Sequence, residues 1–507
     1  MLALLPLLLF LAAADCGHFL FWLPLSTKSV KIAVLEPGYA LARKGHKITI
    51  VSPVRHKKEI AGVTEIIHES ELEALQDVIS DRQLVEKLEM PFLEMIEISV
   101  NNNRMALRTP QVKDLLKDDI KVDVVVTAPA FGNEAGYYIA HRKNASLVTF
   151  LPVPASGPHI NWAIGDPFNP AYVPNVVLDF ASHMSFKERC INTLVTIAIS
   201  CTFSLYVRPK TEAMLREEFP GETVPSLGDL SLDTALHINV GSPFLGDGLR
   251  PVMPKTIMAG LMTCDPQAAA PLPKNLADFV EGAEHGVIFV SFGSVLKSSK
   301  MPEAKRQLLL SVFASLKQRI IWKWEVAMPD APKNVLVSSW LPQQDLLAHP
   351  KVRLFISHGG AGSFQETICH KTPLVGIPIN GDQHTNVAEA VRRGLGVHQD
   401  WHGLEAAGLK AAVEEVLENP AYREATAELS ELVMDTPQHP LDRAVWWMEY
   451  LLRHPGNPGM RNPARHLSWV QYFLIDVIAF FVAVLVLICY ILKKLVFFCC
   501  VRKQKKE

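Results

Sequence analysis

Apolar residues in this chain come as short continuous runs, separated by stretches whose apolar positions recur every three or four residues. The runs in the first half are HFLFWLPL, KITIVSP, VDVVVTAPA and SLVTFLPV. Those in the second are GVIFVSFGS, RIIWKWE, VLVSSWLP, RLFISHGG and PLVGIPI. A strand covered on both faces reads as unbroken apolar sequence, so these runs predict parallel sheets with helices packed on each side. IAVLEPGYALARKG, ending at Gly45, reads as one crossover helix. Each half is therefore expected to be a doubly wound α/β domain. The proline-rich GDGLRPVMPKTIMAG, residues 246–260, reads as the linker between them.

The two ends break the pattern. MLALLPLLLFLAAADC has a leucine-rich core followed by Ala12, Ala13 and Ala14, which predicts a secretory signal peptide over residues 1–14, although no Lys or Arg precedes the core. YFLIDVIAFFVAVLVLICYIL, residues 472–492, exceeds the ~20 residues a helix needs to cross a bilayer. Trp469 and Tyr472 suit one membrane interface. Lys493, Lys494, Arg502, Lys503, Lys505 and Lys506 follow the span, and basic flanks stay cytosolic, so the body is expected in the lumen of a single-pass type I protein. Lys503 and Lys505 in the KQKKE tail resemble a dilysine retrieval signal of the endoplasmic reticulum, and equally a solvated basic flank. The expected layout is a first domain over 15–250, a second over 251–435, a return segment over 436–470, a span over 471–492 and a tail over 493–507.

Composition adds mainly exclusions. At 507 residues, 49% hydrophobic and 20% charged, the chain can bury two ordinary cores. A formal net charge of -2 supplies no broad basic field, which excludes nucleic acid as the expected partner. Eight cysteines are scattered without C-x-x-C spacing, so neither a disulfide framework nor a zinc site is expected. Asn144-Ala145-Ser146 is a glycosylation sequon. No D-x-D triplet occurs, so nothing offers the carboxylate pair that would hold a divalent ion on a diphosphate, and no metal or cofactor is expected.

Candidate chemistry concentrates in ISHGGAGSFQE. His358-Gly359-Gly360-Ala361-Gly362-Ser363 forms the turn between a strand and a helix. Open α/β sheets bind ligands at that end of their strands, where helix amides attract anions. Glycines there would let a diphosphate touch the backbone, and a tight turn needing positive φ would ask for them too. SSWLPQQDLLAHP precedes, with Trp340 and Gln343, and TPLVGIPINGDQHTN follows, with Asp382 and Gln383. Each ends a strand, so all are expected on one rim.

This run resembles the signature of the family 1 UDP-glycosyltransferases. ALARKGHKITIVSP, GDPFNPAYVP, VIFVSFGSV, QRIIWKWE and HPLDRAVWWMEYLLRH extend the resemblance over nearly the whole chain, most closely to invertebrate forms of the membrane-bound animal enzymes. The resemblance implies a GT-B fold, two Rossmann-like domains facing a cleft, with a helix after Pro440 crossing back onto the first domain before the span. It implies that Trp340 stacks on uracil, Gln343 meets the uracil or ribose edge and Glu366 accepts the ribose hydroxyls. Ser294, His358, Gly360 and Ser363 would bind the diphosphate, with His358 helping to neutralise it, and Asp382 and Gln383 would hold sugar hydroxyls. UDP-glucose is the expected donor, since no Arg or Lys flanks Asp382-Gln383 to receive a glucuronate carboxylate. The acceptor would be small and lipophilic, as suits a detoxification enzyme, and a homo-oligomer stays open.

The resemblance fails where the base should be. Family members that make O-glycosides place a histidine sixteen residues before the equivalent of His46, and a carboxylate orients it. Here those positions hold Val30 and Ala128. His46 reads as a structural helix-end residue. Lys28, Glu134 and His159 are the candidate substitutes. Three readings stay open: transfer to an amine acceptor that needs no base, transfer to hydroxyls with a relocated base, and a non-catalytic UDP-sugar binder or partner subunit.

Overall fold

A computed structural model describes residues 16–504 apart from 56–58, 71–91, 130–131, 153–157, 176, 179, 181–182, 243, 246–250, 266–268, 295 and 457. The expected signal peptide, Lys505 and Lys506 of the tail, and residues 246–250 of the expected linker lie outside the described residues.

Every apolar run forms a strand. The first sheet is built from β1 (His18–Trp22), β2 (Lys47–Ser52), β3 (Val63–Ile67), β4 (Val124–Thr127), β5 (Ser146–Leu151), β6 (Leu236–Asn239) and β7 (Thr256–Met258), in spatial order β3-β2-β1-β4-β5-β6-β7. The second is built from β8 (Val287–Ser291), β9 (Arg319–Lys323), β10 (Val335–Ser338), β11 (Val352–Ser357), β12 (Leu374–Gly376) and β13 (Gly396–His398), in order β10-β9-β8-β11-β12-β13. All pairings are parallel. Strand order reverses between β1 and β4 in one sheet and between β8 and β11 in the other, and the crevice at such a reversal is where doubly wound sheets hold ligands.

The helices that frame the site and the anchor are α1 (Lys28–Arg43), α2 (Ala135–Arg142), α3 (Pro158–Ile164), α4 (Phe186–Thr202), α5 (Gln343–Leu347), α6 (Ala361–Cys369), α7 (Asp382–Arg392), α8 (Pro440–Arg453), α9 (Trp469–Tyr472) and α10 (Ile475–Gln504). The Thr27 side chain caps α1 by accepting from the Val30 amide, and Gly45 (φ +96°) lets the chain turn into β2.

Alternation along β1 feeds two core layers. Phe19 and Phe21 pack with Val34 and Leu41 of α1, while Leu20 and Trp22 pack with Ile96, Tyr138 and Leu215 on the other face. The second sheet repeats this with Ile288 and Val290 against Phe313 and Val413, and Val287 and Phe289 against Leu346 and Ile368. Helix α8 returns to the first domain as expected. Its Val445, Met448 and Leu451 enter that core, and Glu449 accepts from Lys44 at 2.8 Å.

Two expectations are corrected, and one helix is added. Strand β7 lies within the expected linker, so the first domain extends past residue 250 to Met258. Three residues are too short for an apolar run, and pairing with β6 is what makes them a strand. The apolar anchor helix begins at Ile475 rather than 471, because Leu474 adopts φ +55° and ends α9. A second helical stretch, Phe186–Glu218, is also long and apolar enough to cross a bilayer. It packs partly on the first domain and leaves Leu194 and Leu205 67% and 77% exposed.

Candidate functional site

The rim of the second domain is assembled from the ends of β8, β9, β10, β11 and β12. After β10 comes Trp340, 44% exposed, its ring facing the cleft with the Lys28 ammonium of the first domain 2.9 Å from the ring centroid. Gln343 opens α5. Its amide donates to Ser363 Oγ at 3.3 Å and to the Glu366 carboxylate, so the side chains expected on ribose and diphosphate already form one bonded group. Burial pushes the Glu366 carboxyl up to about 7, against the opposing hydrogen bonds from Gln343 and Gln344.

The glycines have mostly an internal cause. A Cβ on Gly359 (φ +77°) would lie 2.3 Å from the Val387 side chain, and one on Gly360 would lie 2.6 Å from His358 Nε2. Gly293 (φ +86°), in the turn that carries Ser294, would also come 2.6 Å from that nitrogen. The imidazole is thus seated between two loops whose missing side chains make room for it. Gly362 differs, with nothing within 4 Å of its Cβ position. Close internal packing, against Val387 and His358, accounts for Gly359 and Gly360.

His358 is also corrected as a charge. Burial, helped by the nearby Lys323 ammonium, pushes its pKa down to about 4, so the ring is neutral at ordinary pH and offers a hydrogen bond rather than a cation. Ser357 Oγ lies 3.3 Å from His358 Nδ1 and accepts the Gly359 amide at 3.2 Å. Lys323, which sequence reasoning passed over, ends β9 and pairs with Glu325 at 3.0 Å.

Asp382 opens α7 after Gly381 (φ +55°) and accepts from Asn386 at 2.9 Å. Burial pushes its carboxyl up, opposed by Asn386 and by the Ala361 amide at the start of α6. Asn386, also missed, donates to the Gly359 carbonyl at 3.0 Å and so ties α7 to the glycine turn. Its only signal was the last letter of GDQHTN. Gln383 is folded into its own turn: Oε1 accepts from the Ile379 and Asn380 amides at 2.9 and 3.2 Å, and Nε2 donates to Asn380 Oδ1 at 2.8 Å.

One covalent feature contradicts the sequence reading. Cys264 and Cys369 form a disulfide across 105 positions, tying the segment after β7 to the end of α6. Gln365 reinforces it by accepting the Leu261 amide at 3.3 Å. The spacing gave no hint because only the fold brings the two sulfurs together.

Across the cleft, Val30 stands in the first turn of α1, just past β1, and Ala128 directly follows β4. They flank the strand reversal of the first sheet. Asn133, fully buried and not anticipated, staples the two loops: its side chain bonds Leu25 N–H at 2.9 Å, Leu25 C=O at 3.1 Å and Ala128 C=O at 3.2 Å. Val30 is half-buried against the core and Ala128 is wholly inside it. Of the candidate substitutes, Glu134 is buried as the α2 cap and bonded to Arg208 at 3.3 Å, Lys28 lies on Trp340, and the side chain of His159 lies outside the described residues. His46 is structural as expected, accepting the Gly17 amide through Nδ1 at 3.1 Å and facing Glu449 through Nε2 at 3.3 Å.

Two Rossmann-like domains whose strand ends face one cleft define a GT-B glycosyltransferase. Residues 31–507 match the family model for UDP-glucoronosyl and UDP-glucosyl transferase. The chain is 32% identical to UDP-glucosyltransferase 2 of Dactylopius coccus over 487 residues, covering 92% of this chain and 90% of that one. It is 35% identical to human UDP-glucuronosyltransferase 2B7 over 347 residues, covering 67% and 64%. Among solved structures, a Polygonum tinctorium UDP-glucosyltransferase able to glucosylate indoxyl aligns with TM-score 0.57 at 16% identity, covering 87% of this chain and all of that one. The calicheamicin glycosyltransferase CalG4 aligns with TM-score 0.56 at 19% identity, covering 87% and 100%. The protein belongs to the UDP-glucuronosyl and UDP-glucosyl transferase family and is a UDP-glycosyltransferase.

Proposed function

We propose that the protein transfers glucose, with inversion, from UDP-glucose to small lipophilic acceptors that need no general base, aromatic or tertiary amines in particular. The observation that supports this is the pairing of an assembled donor rim with an acceptor rim whose two expected base positions hold Val30 and Ala128. Trp340, Gln343, Ser363 and Glu366 are gathered on one side, whereas Val30 and Ala128 stand at the strand reversal facing them. A phenol must lose its proton as the new bond forms, while an amine brings a free lone pair. Glu134 is engaged by Arg208 inside the domain, which argues against it as a relocated base.

In this reading uracil stacks on Trp340, the ribose hydroxyls donate to Glu366, and the diphosphate meets Ser294, Ser363, neutral His358 and the α6 amides. Asp382 takes sugar hydroxyls, with Gln383 shaping its turn. No metal takes part. The body lies in the lumen of the endoplasmic reticulum, held by α10, with Asn144 exposed at the end of α2 for glycosylation. The exposed apolar residues of α4 and the contact of Trp162 with Tyr472 (ring centroids 4.2 Å apart) support an acceptor side resting against lipid.

The test is a product screen with UDP-glucose and matched amines and phenols, read by mass. Amine glucosides with weak phenol activity are expected. Val30→His with Ala128→Asp should raise phenol turnover, base catalysis contributing ~10²–10⁴-fold, while Ala128→Asp alone should lower the melting temperature by burying an unpaired charge. Strong phenol activity in the unaltered protein would overturn the proposal. Tight UDP-glucose binding with no product, before or after restoring the pair, would replace it with the non-catalytic binder.

A further inference from the structure

Lys28 is the first residue of α1, on the acceptor domain, and its ammonium lies 2.9 Å from the centroid of the Trp340 ring on the donor domain. Because Lys28 comes from across the cleft, the indole face it covers is the one turned toward the cleft. A nucleobase entering the cleft meets that same face. Stacked atoms approach no closer than about 3.5 Å, so an ammonium at this distance and a pyrimidine cannot share it. One must displace the other.

The displaced charge has an evident destination. A nucleoside diphosphate brings at least two negative charges to the glycine turn. His358 is neutral there. Lys323 is held by Glu325, whose second carboxylate oxygen also accepts the Ser299 amide at 3.0 Å. Lysine is a compact cation on a flexible four-carbon stem, suited to moving from an aromatic face to a phosphate. The exchange trades a cation–π contact for a charge-assisted pair, which is the stronger of the two.

We propose that Lys28 is a donor-binding residue supplied by the acceptor domain: its ammonium yields the Trp340 face to uracil and pairs with the diphosphate, so that binding of the donor clamps the two domains together. This rests on Trp340 being the uracil platform. It makes Lys28 a reader of phosphate rather than of base, and assigns a role to a residue weighed earlier only as a substitute base.

The test compares UDP with uridine by calorimetry on the full-length protein in detergent micelles, for the unaltered chain, Lys28→Ala, Lys28→Arg and Trp340→Ala. In Lys28→Ala, UDP binding should weaken about tenfold, the scale of one lost charged hydrogen bond, while uridine binding stays the same or tightens as a competitor leaves the indole. Lys28→Arg should keep the UDP-to-uridine ratio within about threefold of the original. Equal changes for both ligands in Lys28→Ala would overturn the proposal, since a structural role moves both alike, and so would no change in either. If Trp340→Ala loses both ligands while Lys28→Ala is silent, the donor-site reading stands and the Lys28 proposal falls. If Trp340→Ala binds UDP normally, the platform reading falls and takes the proposal with it.

Discussion

Glu366 shows how a single side chain carries the site's pH response. Its carboxyl titrates near 7 because burial disfavours the charged form. A folded pKa above the ordinary value means that its contribution to stability is full below the unfolded pKa and is lost as pH rises through 7. Ligand binding runs the opposite way, since ribose hydroxyls donate to an ionised carboxylate. UDP affinity should therefore rise from pH 5 to about 7 and level off above, with a proton released on binding in the lower range. Calorimetry in buffers of different ionisation enthalpy measures that proton, and Glu366→Gln should abolish it while weakening UDP by ~1–3 kcal/mol. Identical pH profiles for the two proteins would remove Glu366 from the ribose site. Glu366 was legible as a ribose acceptor through the family resemblance, but its titration was not, because burial is a property of the packed neighbours.

At the scale of elements, α6 is held at both ends. The amide of its first residue, Ala361, bonds Asp382, and its last residue, Cys369, is bonded to Cys264. A cross-link that closes about 100 residues restricts the unfolded chain and typically contributes ~2–4 kcal/mol. Cys264→Ser with Cys369→Ser should therefore lower the melting temperature, and a reductant should shift the unaltered protein but not the double variant. A reductant effect of equal size on both would assign the loss to another site. Helix α8 offers a parallel case: Met448→Ala removes a fully buried side chain between α8 and the first sheet and should cost ~2–4 kcal/mol, read by denaturant unfolding. Helix α8 was legible as a return element from the resemblance of its sequence. The disulfide was not, since nothing local marks two cysteines 105 positions apart as partners.

For the whole molecule, the apolar helix α10 and the half-exposed α4 bear on how the body sits. If the body is lumenal, protease added to sealed microsomes should remove only the residues after the span, and digestion of the body in intact vesicles would reverse the orientation. The two-domain plan itself was legible because strands buried on both faces must be apolar throughout, and nine such runs are printed in the chain. The strands that were missed are β3, β6, β7 and β13, the last three only three or four residues long, and all but β7 lie apart from any run that drew attention. Their identity comes from pairing with a neighbour, as β7 within the expected linker shows. The sequence by itself determined the class of fold, the apolar anchor and the strand ends where the donor rim lies, because those depend on local periodicity, while the return helix and the roles of the rim residues were legible through the resemblance to a family. Only the tertiary structure decided that His358 is neutral, that two of the glycines serve its ring, that Asn133 locks Val30's loop to Ala128's, and that Lys28 reaches Trp340. Each of these is a contact between distant segments, set by how two sheets pack and face each other, and no local pattern in the chain encodes it.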